Sequence, residues 1–240
     1  RWVFSTSSND IRASDSSSTT VIVTAAGYAP VFVDKTSISG VDTLVVQLRN
    51  ASGTQTVWYS TAIGTFTQIT DSDFTSLAHQ GKMEFMDGFA FVSTRDKIFN
   101  SDINSLSSWT ASNYITRLAT QDIGTGLGKL GQQIISWGTA TMEVGVPGLA
   151  KSYGMPSTIV TGQRHYYVVL DDILYWVGSN PFGVFAYNGE RVEKVSSLAI
   201  DKILSERQFY YVSSIGFQGK KAVSIGIDIP SASTQRTFLF

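Results

Sequence analysis

Cysteine is absent from this 240-residue chain, which excludes disulfides and thiolate metal sites while leaving the redox compartment open. Histidine is scarce: His79 and His165 sit in no HExxH or other metal-spaced pattern, and each reads as a structural residue. Charge is scarce as well. Asp, Glu, Lys and Arg make up 15% of residues, and 18 basic against 19 acidic side chains leave a net charge of -1. Affinity for nucleic acid of any sequence rests on many Lys and Arg contacts to phosphate, so DNA contact is expected to be transient at most. A surface this poorly charged suggests partners that cover part of it. No apolar run approaches the ~20 residues a membrane-crossing helix needs, so no membrane span is expected. The opening Arg1-Trp2-Val3-Phe4 has no basic-then-apolar signal region, and the closing Thr237-Phe238-Leu239-Phe240 reads as a strand cut off in progress, which suggests an internal piece of a longer polypeptide.

What the chain does have is apolar and aromatic residues in short runs, 42% hydrophobic and 12% aromatic. That is enough for a full core, and an all-β chain of this length is expected to form one domain, 1–240. The clearest stretch is 166–204. Tyr166-Tyr167-Val168-Val169-Leu170 and Ile173-Leu174-Tyr175-Trp176-Val177 flank Asp171-Asp172, a pair suited to the centre of a tight hairpin. Val184-Phe185-Ala186-Tyr187 and Arg191-Val192-Glu193-Lys194-Val195 then flank Asn188-Gly189, where a hairpin needs φ > 0 at both central residues. Four short aromatic strands in about thirty residues fit one blade of a β-propeller.

The rhythm repeats at roughly 40 residues. Val21-Ile22-Val23 and Val31-Phe32-Val33 bracket an Ala-Gly-Tyr turn, and Leu44-Val45-Val46-Gln47-Leu48 and Thr56-Val57-Trp58-Tyr59 bracket 50–53. Met83-Glu84-Phe85-Met86 and Phe89-Ala90-Phe91-Val92 flank Asp87-Gly88. Residues 129–138 lead into Thr141-Met142-Glu143-Val144, and Phe209-Tyr210-Tyr211-Val212 into Lys221-Ala222-Val223-Ser224-Ile225. Each pair predicts a hairpin. The serine-rich 5–20 reads as a loop or exposed edge. One segment has helical period, 197–206, with Ser197 as N-cap, Leu198, Ile200, Ile203 and Leu204 inward, and Asp201, Lys202 and Glu206 outward.

Four segments, in order, carry a family resemblance. FMDGFAFVS runs into IFNSDINSLSSW, which holds Ser101, Asp102 and Trp109; then come GQQIISW with Thr141-Met142-Glu143-Val144, then Tyr153-Gly154-Met155-Pro156-Ser157-Thr158-Ile159-Val160, and then the blade and helix at 166–204. Together they resemble, over roughly 85–205, the packaged-DNA stabilisation proteins of short-tailed bacteriophages. The resemblance implies a β-propeller-containing tail hub, or nozzle, in the virion. Such a hub forms a homo-oligomeric ring, of six copies, below the portal and adaptor, closes the channel after DNA is packaged, and carries the tail needle and the fibres or spikes.

The chain's potential chemistry reads blandly. Gly126-Leu127-Gly128-Lys129-Leu130-Gly131 matches G-x-G-x-x-G but precedes a strand, so it lacks the helix N-terminus that would hold a pyrophosphate, and it reads as an inter-blade turn. Leu130 stands where a phosphate loop needs Ser or Thr. Asp171 and Asp172 are explained by their turn, and Glu190 and Glu193 by solvent. Ser101, Asp102 and Trp109 are similar to the Asp-box of sialidases, whose Asp-to-Trp spacing is shorter and includes a Gly that is missing here. Trp58, Trp109, Trp137 and Trp176, with Tyr59, Tyr166, Tyr167, Tyr175 and Phe185, read as packing between blades, with sugar stacking or an interface as the rival role. Arg117, Lys129, Lys151 and Arg164 read as scattered surface cations, with a DNA-channel lining as the rival. The expectation is a propeller or partial propeller with no catalytic, cofactor-binding or metal residue and no cofactor, working as a connector. The alternatives are a glycan-binding or glycan-cleaving propeller and a cellular propeller scaffold.

Overall fold

The computed structural model describes residues 2–5, 10–14, 19–24, 27–62, 65–117, 123–139, 141–146, 149–153, 167–179, 181–206, 209–217, 220–229 and 234–239. Almost every element is a strand, and within each sheet a strand pairs with the next along the chain, because the short connections there join antiparallel neighbours. The all-β class holds. Contacts gather into two compact units, 1–116 and 117–240.

In the first unit, β1 (Trp2–Ser5), β2 (Asp10–Ser14) and β3 (Thr19–Thr24) form a three-stranded meander. A four-stranded one follows, β4 (Tyr28–Ile38), β5 (Val41–Asn50), β6 (Gln55–Ala62) and β7 (Thr65–Gln68). After the short helix α1 (Ser72–Thr75) comes a third meander, β8 (Gln80–Met86), β9 (Phe89–Ser93), β10 (Lys97–Ser101) and β11 (Trp109–Thr116). Side chains alternate faces along a strand. Leu44, Val46 and Leu48 of β5 therefore share one face with Trp58 and Phe66, while Val45 turns to the other, against Met83, Phe85, Val92 and Trp109 of the third sheet. Burial on both faces explains why Leu44-Val45-Val46-Gln47-Leu48 reads as an almost unbroken apolar run.

The second unit repeats the plan. β12 (Gly124–Leu130), β13 (Gln133–Gly138), β14 (Met142–Val146) and β15 (Leu149–Tyr153) form one meander, and β16 (Tyr167–Leu170), β17 (Ile173–Ser179), β18 (Phe182–Tyr187) and β19 (Val192–Lys194) the next. Helix α2 (Leu198–Glu206) leads to β20 (Phe209–Phe217), β21 (Lys220–Ile229) and β22 (Thr234–Leu239). β17 shows the layering. Leu174 and Trp176 face Trp137 and Met142 of the preceding sheet, whereas Tyr175 and Val177 face Val212, Val223 and Ile225 of the following sheet and Leu204 of α2.

The turns carry much of this order. Asp171 and Asp172 take φ of 49° and 60°, and Asp87 and Gly88 take 52° and 81°, the paired left-handed residues whose twist matches that of the flanking strands. Leu170 accordingly faces Ile173, and Met86 faces Phe89. The hairpins across 50–53, 139–141 and 218–219 also form as expected, with Leu48 opposite Thr56, Trp137 opposite Met142 and Phe217 opposite Lys220. At the Asn-Gly turn the expectation is half right. Gly189 has φ of 95°, but Asn188 stays out of the left-handed region. Its backbone N–H pairs with Arg191 O, and its Oδ1 accepts from the N–H groups of Glu190 and Arg191. Asn188 is therefore the residue before the two-residue loop, and Gly189 fills the first loop position. Nothing lies within 4 Å of a Cβ built on Gly189, so Gly189→Val should cost about 1 to 3 kcal/mol through backbone strain alone. Chemical denaturation measures it, and an unchanged midpoint would refute the turn.

Other expectations are corrected. Val21-Ile22-Val23 and Val31-Phe32-Val33 do not form a hairpin, since β3 ends one sheet and β4 begins another. Within the serine-rich 5–20 segment, 10–14 form β2 and Thr19-Thr20 open β3, so these parts are strand and not loop, while 6–9 and 15–18 lie outside the described residues. Gly126-Leu127-Gly128-Lys129-Leu130 is no turn between blades: it is β12, paired with β13 through a tight turn at Gly131, whose φ is 54°. A Cβ on Gly128 would lie 2.5 Å from Cζ3 of Trp137 and 3.0 Å from Cε1 of Tyr167. The indole cannot yield, being fully buried between Tyr167 at 5.4 Å and Trp176 at 6.1 Å. Gly128→Val is expected to lose about 1 to 3 kcal/mol from overpacking. Urea denaturation tests this, and a variant as stable as the parent would overturn the close approach.

Helix α2 forms where its period indicates, but its faces are rotated. Leu198 is 83% exposed, and Asp201 is buried. The Asp201 carboxylate accepts from Ser196 Oγ at 2.5 Å and is ion-paired with Lys194, and Ser196 Oγ accepts from the Val184 N–H. A buried carboxylate thus ties the helix to β18 and β19, with its charge compensated. The four-residue α1 is too short to leave a period. Its signal is Asp71, whose Oδ1 caps the N–H groups of Asp73 and Phe74.

Candidate functional site

Of the residues that the sequence singled out, several acidic ones lie at the surface, whereas Arg117, expected as a surface cation, is buried. Asp171 is exposed and ion-paired with Lys221 Nζ at 2.5 Å. That hydrogen bond and the nearby carboxylate hold the lysine above its usual pKa. Glu190 and Glu193 are exposed, the latter 2.5 Å from Arg191. Arg117 is buried and Lys129 half-buried. Arg164, His165, Tyr166 and the 154–160 segment lie outside the described residues, as does the side chain of Lys151. No cluster of three or more potential metal ligands occurs among the described residues.

The Ser101, Asp102 and Trp109 phrase makes a closed loop. Asp102 accepts from Ser108 Oγ at 2.6 Å, Asn113 Nδ2 at 3.0 Å and Thr110 Oγ1 at 3.3 Å. Trp109 is buried against Phe74 at 4.7 Å, donates through Nε1 to Leu106 O at 2.9 Å, and donates its backbone N–H to Asp71 Oδ2 at 3.2 Å. Asp73 Oδ2 accepts from the Ala111 N–H at 2.9 Å. Asp71 and Asp73 thus accept backbone N–H groups and Asp102 accepts side-chain donors, and all three hold this loop and the start of β11 in place. The aromatics form the layers between sheets: Trp137 meets Tyr167 and Trp176, and Trp176 stacks on Phe185 at 5.7 Å.

A cleft of about 430 Å³ lies within the first unit. One wall is the turn between β5 and β6. Asn50 Oδ1 accepts there from Thr54 N–H and Ser52 Oγ, and Gly53 takes φ of 90°. The other wall is the 75–80 segment between α1 and β8. Two amides bridge the walls: Gln55 Nε2 donates to His79 O at 3.0 Å, and Gln47, hydrogen-bonded to Gln55, donates to Gly81 O at 3.0 Å. Arg49, opposite Gln55 in the ladder, donates through Nε to Gly53 O at 3.4 Å. His79 packs on Phe74 at 4.6 Å, and its Nδ1 has no hydrogen-bond partner among the described residues. Burial lowers its pKa from 6.5 to about 4, so the imidazole is neutral at pH 7. Sequence reasoning found the histidine and missed the cleft, because Arg49 and the 75–80 segment carry no motif in common.

No family model matches the chain, and no curated protein does. Among solved structures it resembles one from S. cerevisiae, a Dbp5 variant bound to Nup159, a Gle1 variant, IP6 and ADP, with a TM-score of 0.41 and 12% identity. That likeness covers 89% of this chain and 66% of the matched chain, and at that level it assigns neither family nor function.

Proposed function

We propose that the chain is a non-catalytic structural connector of a short-tailed phage tail, a hub subunit whose meanders are propeller blades and whose copies close into a ring below the portal and adaptor. The observation that carries this reading is the succession of antiparallel meanders, four of them four-stranded, with an aromatic layer of Trp137, Tyr167, Trp176 and Phe185 where two neighbours of the second unit pack together. The ordered resemblance supports it: GQQIISW and Thr141-Met142-Glu143-Val144 contribute β13 and β14, and IFNSDINSLSSW contributes β10 and the loop closed by Asp102. The low charged fraction fits a protein covered by neighbours.

Electron microscopy of the native particle is the test, with a closed ring of six copies expected at the tail, each burying a standard interface or more. A chain found as a monomer in that particle sinks the reading. Asp171→Asn, Asp172→Asn, Glu190→Gln and Glu193→Gln should leave assembly and DNA retention near the parent level. If one of them instead abolishes a measurable oligosaccharide hydrolase activity while particles still assemble, the glycan-cleaving alternative replaces the connector.

A further inference from the structure

We propose that the cleft between the 50–54 turn and the 75–80 segment docks an acidic segment of a partner protein, with one carboxylate seated on the Arg49 guanidinium. The proposal does not depend on the chain's place in a tail. Its first support is an unspent cation. Arg49 is half-buried, and among the described residues its one hydrogen bond is the 3.4 Å contact to Gly53 O and no carboxylate pairs with it. The acids that could have served are committed elsewhere. Asp71 and Asp73 accept backbone N–H groups of α1 and β11, and Glu84 pairs with Lys82. A guanidinium carries five donors in a planar fork that matches a carboxylate. Burial has removed part of this one's hydration, and an incoming carboxylate would replace it.

The remaining lining identifies what the carboxylate is carried on. The hydroxyls of Thr75 and Ser76 donate to backbone carbonyls of Asp71 and Asp73, at 3.0 Å each. What they can offer a ligand is lone pairs, and lone pairs suit the N–H donors of a peptide backbone. The volume, about 430 Å³, exceeds that of a bare ion and falls in the range of sites that hold a few residues or a drug-sized molecule. No Trp, Tyr or Phe lines it, so a sugar ring has no aromatic platform to stack on, which favours a peptide over an acidic sugar. His79 is the other titratable lining group and is neutral, so Arg49 supplies the charge and one carboxylate is expected per site.

The test is a nitrogen-15 NMR titration of the full 240-residue chain with four probes: the blocked peptide acetyl-Gly-Ser-Asp-Ser-Gly-amide, its Asn analogue, N-acetylneuraminate and inorganic phosphate. The Asp peptide should give saturable shifts confined to 49–55 and 75–80, with a Kd of about 1 mM or tighter. Binding should weaken about tenfold or more with the Asn analogue and with Arg49→Gln, which loses the charge-assisted hydrogen bonds. It should weaken less with Arg49→Lys, which keeps the charge without the fork, and should not change with Arg191→Gln, which removes an exposed arginine elsewhere. Should Arg49→Gln lose its dispersed spectrum, the Arg49→Lys comparison decides. The proposal is overturned by no saturable shift up to about 10 mM peptide, by equal binding of the Asn analogue, or by Arg49 variants that bind as the parent does. Saturation by N-acetylneuraminate without the peptide would make the cleft a glycan site, and equal saturation by phosphate would make it a simple anion site. Either result removes the peptide claim.

Discussion

Trp176→Ala is expected to destabilise the second unit by about 3 to 5 kcal/mol, the usual cost of truncating a buried aromatic and leaving its cavity. Trp176 is fully buried and stands at the centre of a layer, opposite Tyr167 on one neighbouring strand and Phe185 on the other. Its ring stacks on Phe185 at 5.7 Å and meets Trp137 at 6.1 Å. The surroundings cannot collapse into the space, because the same sheet is fixed on its opposite face by Tyr175 and Val177 against the following sheet. The indole Nε1 has no hydrogen-bond partner among the described residues, so the loss is one of packing and leaves no acceptor orphaned. Trp176→Phe, which keeps a ring in the layer, should recover more than half of it. Guanidinium unfolding followed by far-ultraviolet circular dichroism measures both. A loss below about 1 kcal/mol for the alanine variant would mean that the layer is not a core. If the connector reading holds, the same variant also fails to enter the tail, whereas Asp171→Asn should lie within about 0.5 kcal/mol of the parent, as exposed substitutions usually do.

The parts of the fold that were legible are those where one or two residues decide the backbone. Asp171-Asp172 and Asp87-Gly88 announce their hairpins because few residue pairs accept two consecutive left-handed conformations. Asn188-Gly189 announces a turn but not its register: the Asn side chain caps two N–H groups and so takes the outer position. Where no such residue acts, periodicity misleads. Val31-Phe32-Val33 follows Val21-Ile22-Val23 at hairpin distance, yet β4 pairs forward with β5 along ten registered residue pairs, a ladder long enough to outweigh the shorter local option. Gly126, Gly128 and Gly131 suggested a loop by composition. Gly128 is instead a strand residue whose missing side chain makes room for Trp137.

The site was less legible than the fold. The cleft's walls are separated by some twenty residues, and what makes Arg49 notable is a relation, the lack of a carboxylate partner among the described residues, that no local pattern expresses. Asp201 shows the converse. Its spacing placed it outward with the polar face of α2, and only the meeting of Lys194 and Ser196 at the same point accounts for its burial. Pairwise compensation of this kind becomes visible once sheets and helix are packed together.

His79 makes the second large prediction, a loss of stability in acid. Burial holds its folded pKa near 4, below the 6.5 of an unperturbed imidazole, because the charged form is poorly solvated against Phe74. Between these values the unfolded chain binds a proton that the folded chain refuses, so stability falls as pH drops from about 6.5 and levels off below about 4. At about 1.36 kcal/mol for each pH unit, the full loss is about 3 kcal/mol. Above pH 6.5 the imidazole is neutral in both states and contributes no slope. The decisive quantity is the difference between the parent and His79→Gln, in which the contributions of every other group cancel. The amide has no proton to gain. The variant is expected to be less stable at pH 7, where it loses the ring contact with Phe74, and to draw level with or overtake the parent as pH approaches 4. Urea unfolding at half-unit pH intervals from 4 to 7.5 gives both curves. If they run parallel across the window, the imidazole is not held neutral by burial, and the floor of the cleft is wetter than its packing against Phe74 implies.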